Sequence, residues 1–238
     1  MTAAPSRPVR EPQRIAAMFD RIVPRYDLMN HLMTVGLDRR WRELAAAAVD
    51  PLSGEPLLDA CCGTGDLTLA LRRRHPASPV TGLDASAAML DRARAKAAGQ
   101  PGIEFVTGDL LALPFAKGHF AAVTVGWGVR NVADVRGAFV EMVRVTRAGG
   151  RVVCLEATRP PGSLGRRFHA VWFERLVPLL GAVVAGDREA YSYLPASVRS
   201  FPDADGLATL MREAGLVRIR FRRLGLDAMA LHVGTVPP

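Results

Sequence analysis

Leu57-Leu58-Asp59-Ala60-Cys61-Cys62-Gly63-Thr64-Gly65-Asp66 reads as a short hydrophobic strand that ends in an acidic residue, turns through glycines and opens a helix. Gly63 and Gly65 let the backbone take dihedrals that other residues resist and let a ligand come close. Such a turn lies at the carboxyl end of a strand, where open α/β sheets bind ligands. By itself the pattern is also that of a plain tight turn. Its neighbours give it meaning. Strands are predicted at 56–60, 79–83, 103–107, 120–125 and 151–156, separated by helices at about 66–74, 86–98 and 134–146. Ser86 is placed to cap the second of these, and Ala148-Gly149-Gly150 to end the third. Strand and helix alternating in this way predict a doubly wound α/β fold, a Rossmann-like and mostly parallel sheet with helices on both faces.

The flanks differ. Upstream, residues 13–50 form a helical extension: Ile15, Met18, Phe19 and Ile22 recur at spacings of three and four. Pro24 is expected to interrupt it, a second stretch carries Tyr26 to Asn30, and a third covers about 38–49. Residues 1–12, rich in Pro and Arg, are expected to be disordered. Downstream, a helix over 163–186 and another over 203–214, ended by Gly215, precede two strands at 217–221 and 229–233, close enough for an antiparallel hairpin. The whole of 1–238 is read as a single domain, with its α/β core over 55–235.

Composition narrows the function. Half the residues are hydrophobic (49%) and a quarter charged (23%), as in an ordinary globular chain. The net charge is +8, but only Lys96 and Lys117 among the 31 basic residues are Lys. The Arg and Ala bias reads first as that of a GC-rich coding sequence, and second as a sign of an anionic partner. Cys61, Cys62 and Cys154 form no framework and no zinc spacing, which points to a reducing, cytoplasmic setting without a metal. The N-terminus lacks a signal-type apolar stretch, and the longest apolar run, 176–185, is about half a membrane span.

The chemistry starts from four carboxylates. Asp84 ends the second strand, where it can accept both hydroxyls of an adenosine ribose. NAD-type and S-adenosylmethionine-type folds share that feature. The NAD fingerprint wants a third glycine where Thr68 stands. Asp109, at the end of the third strand, can accept from an adenine amine, with Leu110 against the ring. Asp59 and Asp66 disfavour a pyrophosphate and favour a cationic sulfonium with an ammonium tail. The cofactor indicated is S-adenosylmethionine, bound by Asp59, Gly63, Thr64, Gly65, Asp84, Asp109, Leu110 and Gly126.

Together these motifs resemble class I S-adenosylmethionine-dependent methyltransferases. That resemblance implies that the last two strands complete a seven-stranded sheet with the final strand antiparallel. A narrower one spans nearly the whole chain. Met18-Phe19-Asp20, Tyr26-Asp27-Leu28-Met29-Asn30, Gly36 and Trp41 look like the N-terminal signature of the ubiquinone/menaquinone biosynthesis C-methyltransferase family. So do Gly126-Trp127-Gly128-Val129-Arg130-Asn131-Val132, and more loosely 144–150, Tyr191-Ser192-Tyr193-Leu194 and Phe201-Pro202. Cys62 departs from the usual glycine or alanine before Gly63 and Cys61 from a common first glycine, both still small enough for the turn; Gly126 departs from a common Ser, and Trp127 from a common Phe.

The resemblance implies methylation of a ring carbon on a polyprenylated quinol, demethylmenaquinol ahead of a methoxybenzoquinol. Arg130 then faces the substrate and steadies the developing phenolate, with Asn131 bonding a quinol oxygen; an ion pair on a surface loop is the plain alternative for Arg130. Tyr26, Asp27 and Asn30 would belong to a helical lid, or merely pack. His31 is a weak candidate base. Residues 163–186 are either core or a surface for anionic lipid and an isoprenoid tail. Peripheral membrane contact and a homodimer stay open. No nucleic-acid partner is expected: the stretch after the fourth strand lacks the Asn/Asp-Pro-Pro-aromatic and Pro-Cys signatures of base methylation. Another phenolic substrate and a non-catalytic binding protein complete the alternatives.

Overall fold

The computed structural model describes residues 12–162, 165, 167 and 188–238. Two helices come first, α1 (Pro12–Met33) and α2 (Leu37–Ala48). Then follow β1 (Leu57–Ala60), α3 (Asp66–Arg74), β2 (Val80–Asp84), α4 (Ala87–Lys96), β3 (Ile103–Thr107) and β4 (Phe120–Gly126). After a 3-10 turn at Val129–Asn131 come α5 (Val135–Val145) and β5 (Thr146–Ala157). The chain ends with α6 (Arg188–Ser200), α7 (Ala204–Glu213), β6 (Val217–Leu224) and β7 (Met229–Thr235).

The seven strands form one sheet in the order β3-β2-β1-β4-β5-β7-β6. All pairs are parallel except those of β7, which runs antiparallel to β5 and β6. The winding reverses between β1 and β4, so a crevice opens there at the strands' carboxyl ends. Leu57, Leu58, Asp59 and Ala60 of β1 are all buried, as a central strand covered on both faces requires. On one face Met18, Ile22, Met29, Trp41, Leu71 and Leu155 pack from α1, α2, α3 and the sheet. On the other, Phe120, Phe139, Met142, Leu207 and Met211 join the sheet to α5 and α7.

Side-chain caps start α4, α5 and α7. Ser86 Oγ accepts from the Met89 N–H (3.1 Å), as expected, and Asp134 and Asp203 accept from Gly137 and Gly206 (2.9 Å each).

Two expectations fail locally. Pro24 does not interrupt α1, which runs through it. The bond that proline removes is the one to the carbonyl of Asp20, and both residues are exposed, so water can satisfy that carbonyl. Nor does Ala148-Gly149-Gly150 end α5: the helix stops at Val145, and β5 already starts at Thr146. A register shift against β4 between Phe120 and Ala122 absorbs this early start. The expected helix over 163–186 lies outside the described residues apart from Gly165 and Arg167.

Candidate functional site

The β1–α3 turn is shaped by positive φ angles. Gly63 (+54°) and Gly65 (+83°) take them readily, whereas Cys61 (+57°) is a side-chain-bearing residue held in the left-handed region. Trp127 (+57°), just past β4, is a second. The two turns press together. A Cβ on Gly128 would sit 2.3 Å from Cβ of Cys61, so this contact admits only hydrogen.

Above this floor lie two cavities with a common wall. The first, a cleft of about 830 Å³, is lined by Gly63, Asp84, Ser86, Asp109, Leu110, Gly126, Gly128 and Asn131, among others. The second, about 740 Å³, is mainly apolar: Met18, Ile22, Met33 and Met229, with Asn30, Thr34, Asp38, Arg130 and Tyr193 as polar points. Phe19, Tyr26 and Trp127 belong to both. A small polar recess beneath them is lined by Tyr26, Arg42, Asp59, Thr64, Asp66 and Trp127.

In the cleft, Asp84 is held from behind: Oδ2 accepts from the Gly63 N–H (2.8 Å) and Oδ1 from the Ser86 N–H (2.9 Å). Burial nevertheless pushes its pKa up. Asp109, exposed, accepts from the Leu111 N–H (2.9 Å), beside the buried Leu110.

Arg130 is no surface residue. It is buried, and its Nη1 donates to Glu156 Oε1 and to the carbonyl of Trp127 (2.7 Å each). Burial alone would lower the guanidinium pKa; Glu156, with smaller contributions from Tyr26 and Tyr193, more than offsets this and holds it above its usual value. Its Nε is buried with no hydrogen-bond partner. Tyr26 stands nearby, its phenol pKa raised by burial.

Several expected residues sit differently. Asp59 is fully buried, bonded by Thr68 (2.7 Å) and Thr124 (3.1 Å), and burial pushes its pKa up to about 7. It reaches the recess, not the cleft. Asp66 is engaged by Lys96 and by Arg42 (3.5 Å), so its charge is already offset. Thr64 turns away from the cleft and donates to Asp27, which also pairs with Lys96 (3.0 Å). Asp27 therefore ties α1 to α3 and α4 rather than lining a cavity. Asn131 faces the cleft, where it accepts from the Tyr193 hydroxyl (3.3 Å), rather than the apolar cavity. His31 meets Asp38 (3.3 Å) and lines none of the three cavities. Gly65 starts α3, against Ala93.

Sequence reasoning missed Glu156, Arg42 and Lys96. Glu156 carried a usable signal, an acid at the end of a buried strand like Asp59, Asp84 and Asp109. Arg42 and Lys96 are basic residues on helices, with nothing to mark them. Arg42 stacks on the Trp127 ring (4.8 Å) and pairs with Asp38. Among the described residues no group of three or more His, Cys, Asp or Glu could hold a metal ion.

This geometry can be set beside known proteins. The model of the ubiE/COQ5 methyltransferase family matches residues 8–236. The chain belongs to this family. The demethylmenaquinone methyltransferase of Roseiflexus castenholzii is 45% identical over 227 residues, 95% of each chain. The ubiquinone/menaquinone biosynthesis C-methyltransferase UbiE of Desulfotalea psychrophila is 42% identical over 221 residues, 92% of this chain and 89% of its own. The [4+2]-cyclase SpnF superposes with a TM-score of 0.69 at 16% identity, over 100% of this chain and 99% of its own, a likeness of fold alone. As a member of the ubiE/COQ5 family this chain is a methyltransferase, and its cofactor is S-adenosylmethionine. The residues present fit that group: the floor of the cleft is bare backbone at Gly63, Gly126 and Gly128, and a braced carboxylate, Asp84, faces it.

Proposed function

We propose that this methyltransferase methylates a ring carbon of a polyprenylated quinol, with demethylmenaquinol as its substrate. The observation that carries this reading is the wall of Phe19, Tyr26 and Trp127 shared by a polar-rimmed cleft and an apolar cavity. A polar cofactor on one side and a lipophilic ring on the other would meet there. The names of the relatives support the quinol, and the Desulfotalea relative's name keeps a benzoquinol as the alternative.

In this reading Asp84 accepts from the ribose hydroxyls, Asp109 from the adenine amine, and Leu110 packs on the ring. S-adenosylmethionine supplies a methyl group bonded to a positively charged sulfur. The chain's own task is alignment and charge. Arg130 faces the cavity as a permanent cation and stabilises the phenolate that makes the ring carbon nucleophilic; its orphan Nε is the donor left for a substrate oxygen. It does not act as the base, because its pKa is far too high. Glu156 keeps that buried cation affordable and fixes its orientation. Asn131 lines the cleft and Tyr193 the apolar cavity, and the hydrogen bond between them joins the two. α1 serves as the lid, with Tyr26 and Asn30 on its inner side and Asp27 as its clasp to Lys96 and Thr64.

The test is to incubate the protein with labelled S-adenosylmethionine and a reduced, short-tailed demethylmenaquinol, beside a methoxybenzoquinol analogue. Methyl appearing on the ring carbon of the naphthoquinol first is the expected outcome. Transfer to neither, with cofactor binding shown separately, overturns the substrate reading and leaves the fold.

A further inference from the structure

We propose that the outer face of the α1–α2 corner is a docking surface for an anionic lipid bilayer, and that a lipid-borne quinol enters the apolar cavity from this side. The second half rests on the quinol reading above; the first does not.

α1 has two faces over its last turns. Tyr26, Asn30 and Met33, spaced by four and three, line the apolar cavity. Arg25, Leu28 and Leu32, spaced by three and four, fall on the opposite side. Leu28 is 52% exposed and Leu32 38%. Val35, at the tip of the turn, is 75% exposed, and Leu37, opening α2, 42%. Half of the eight exposed large hydrophobics among the described residues thus fall within ten consecutive positions. Scattered exposed apolar residues are ordinary; a contiguous cluster is a contact surface.

The rim of the cluster says what it contacts. Arg25, Arg39 and Arg40 are exposed, and among the described residues none of the three forms a hydrogen bond or ion pair. The acidic side chains nearby are spoken for: Asp38 by Arg42, Asp27 by Lys96 and Glu43 by Arg73. Apolar side chains ringed by free guanidinium groups complement an anionic headgroup layer over acyl chains, and the net charge of +8 favours the same partner. Among the described residues no helix is long and apolar enough to cross a membrane, so the contact would be with its surface. Such docking would bring one turn of helix to lie between the bilayer and the cavity. This places a lipid contact at 25–40; the stretch 163–186 lies outside the described residues apart from Gly165 and Arg167.

The test uses the whole chain and vesicles of phosphatidylcholine with or without about a third of phosphatidylglycerol. The wild type should co-sediment with the anionic vesicles and much less with the neutral ones. Leu28→Gln/Leu32→Gln/Val35→Asn should bind the anionic vesicles at least about tenfold more weakly. Asn suits position 35, where φ is +52°. None of the three residues lines a cavity, so cofactor affinity and turnover of a water-soluble, short-tailed quinol should stay unchanged, which also reports that the variant folds. Arg25→Gln/Arg39→Gln/Arg40→Gln should abolish the preference for anionic lipid. Leu52→Gln, 69% exposed beyond the far end of α2, should change nothing. A wild type that binds neither vesicle, or a triple leucine/valine variant that binds as tightly as the wild type, overturns the proposal. So does light scattering that shows the variant splitting a dimer with vesicle binding intact, which would make the corner a self-association face. Vesicle binding through this face without methylation of any quinol would keep the docking surface and discard the entry route.

Discussion

The sheet-edge cleft and the apolar cavity share three side chains but are built in opposite ways. The cleft is made of turns, each a few residues long and each leaving the carboxyl end of a strand: β1 into α3, β2 into α4, β3 onward and β4 onward. Its polar groups are braced by nearby backbone, as Asp84 is by Gly63 and Ser86. The cavity is gathered from α1, the loop after β4, the end of β5, α6 and β7. Its contacts join distant parts of the chain, such as the Trp127 ring N–H to the Met229 sulfur (3.3 Å). A site made of backbone fixes one ligand shape. A site made of side chains from separate helices can change shape by substitution while the fold stays the same, which is how one scaffold serves different substrates.

The largest effect should come at the charged point of the cavity. Glu156→Gln leaves the Arg130 guanidinium buried without its counter-charge and should cost about 3–5 kcal/mol in urea unfolding. Arg130→Met/Glu156→Leu should recover most of that stability yet leave quinol turnover lost. If Glu156→Gln is as stable as the wild type, the cavity's cation is not held as described.

Next comes the recess beneath the cleft. Burial raises the folded-state pKa of Asp59 to about 7, so the folded protein takes up the proton more readily than the unfolded chain. The sign follows. The stability associated with protonated Asp59 is complete below the unfolded value near 4 and is lost as pH rises through about 7. Relative to Asp59→Asn, the wild type without cofactor should lose about 4 kcal/mol over that window. Parallel stability–pH curves for the two proteins would refute the buried, proton-holding carboxylate.

Two further substitutions and one rescue test how the cleft is held. Gly128→Ala should destabilise by up to about 3 kcal/mol and weaken cofactor binding, because the new methyl collides with Cys61. Adding Cys61→Gly should restore both, since it removes the colliding atoms and suits the positive φ at that position. Failure of that rescue would mean the two turns are not packed as described. Asp84→Asn should weaken S-adenosylmethionine binding by about tenfold to a hundredfold in calorimetry, the worth of one or two charge-assisted hydrogen bonds, and should cost about 1–3 kcal/mol in unfolding, because its amide nitrogen cannot accept from the Gly63 or Ser86 N–H. The smallest effect belongs to the lid. Lys96→Met removes the shorter of the two links from Asp27 to α4, leaving Arg92 at 4.0 Å, and the link from Asp66; these side chains are partly exposed, so about 1 kcal/mol is the ceiling. It should raise KM for the quinol slightly and flatten its dependence on salt, leaving kcat alone.

The same contrast explains what could be read beforehand. Asp84, Asp109, Leu110 and Gly126 were legible as lining of the cleft because a strand end fixes the residues at its close and the turn that follows, all within a few positions. Thr64 was placed in the right turn but on the wrong side, because its direction is set by Asp27, 37 residues earlier. Arg130 was legible as a cation at the sheet's edge. Its burial was not, since that depends on Glu156 arriving on the neighbouring strand β5. Pro24 was misread because a proline's effect on a helix depends on whether the bond it removes faces water.

By itself the sequence determined the alternation of strands and helices, the glycine turns, the acids that end the strands and hence the doubly wound sheet and its cofactor class. These are local: periodicity, capping and turn chemistry act over fewer than about ten residues. Tertiary structure alone decided which charges cancel, which acid has its pKa pushed up to about 7 by burial, and that Phe19, Tyr26 and Trp127 form one wall between two cavities. Each of these depends on which groups meet across the fold and how much water is left between them, and dielectric environment and contact are properties of the packed molecule rather than of any stretch of chain.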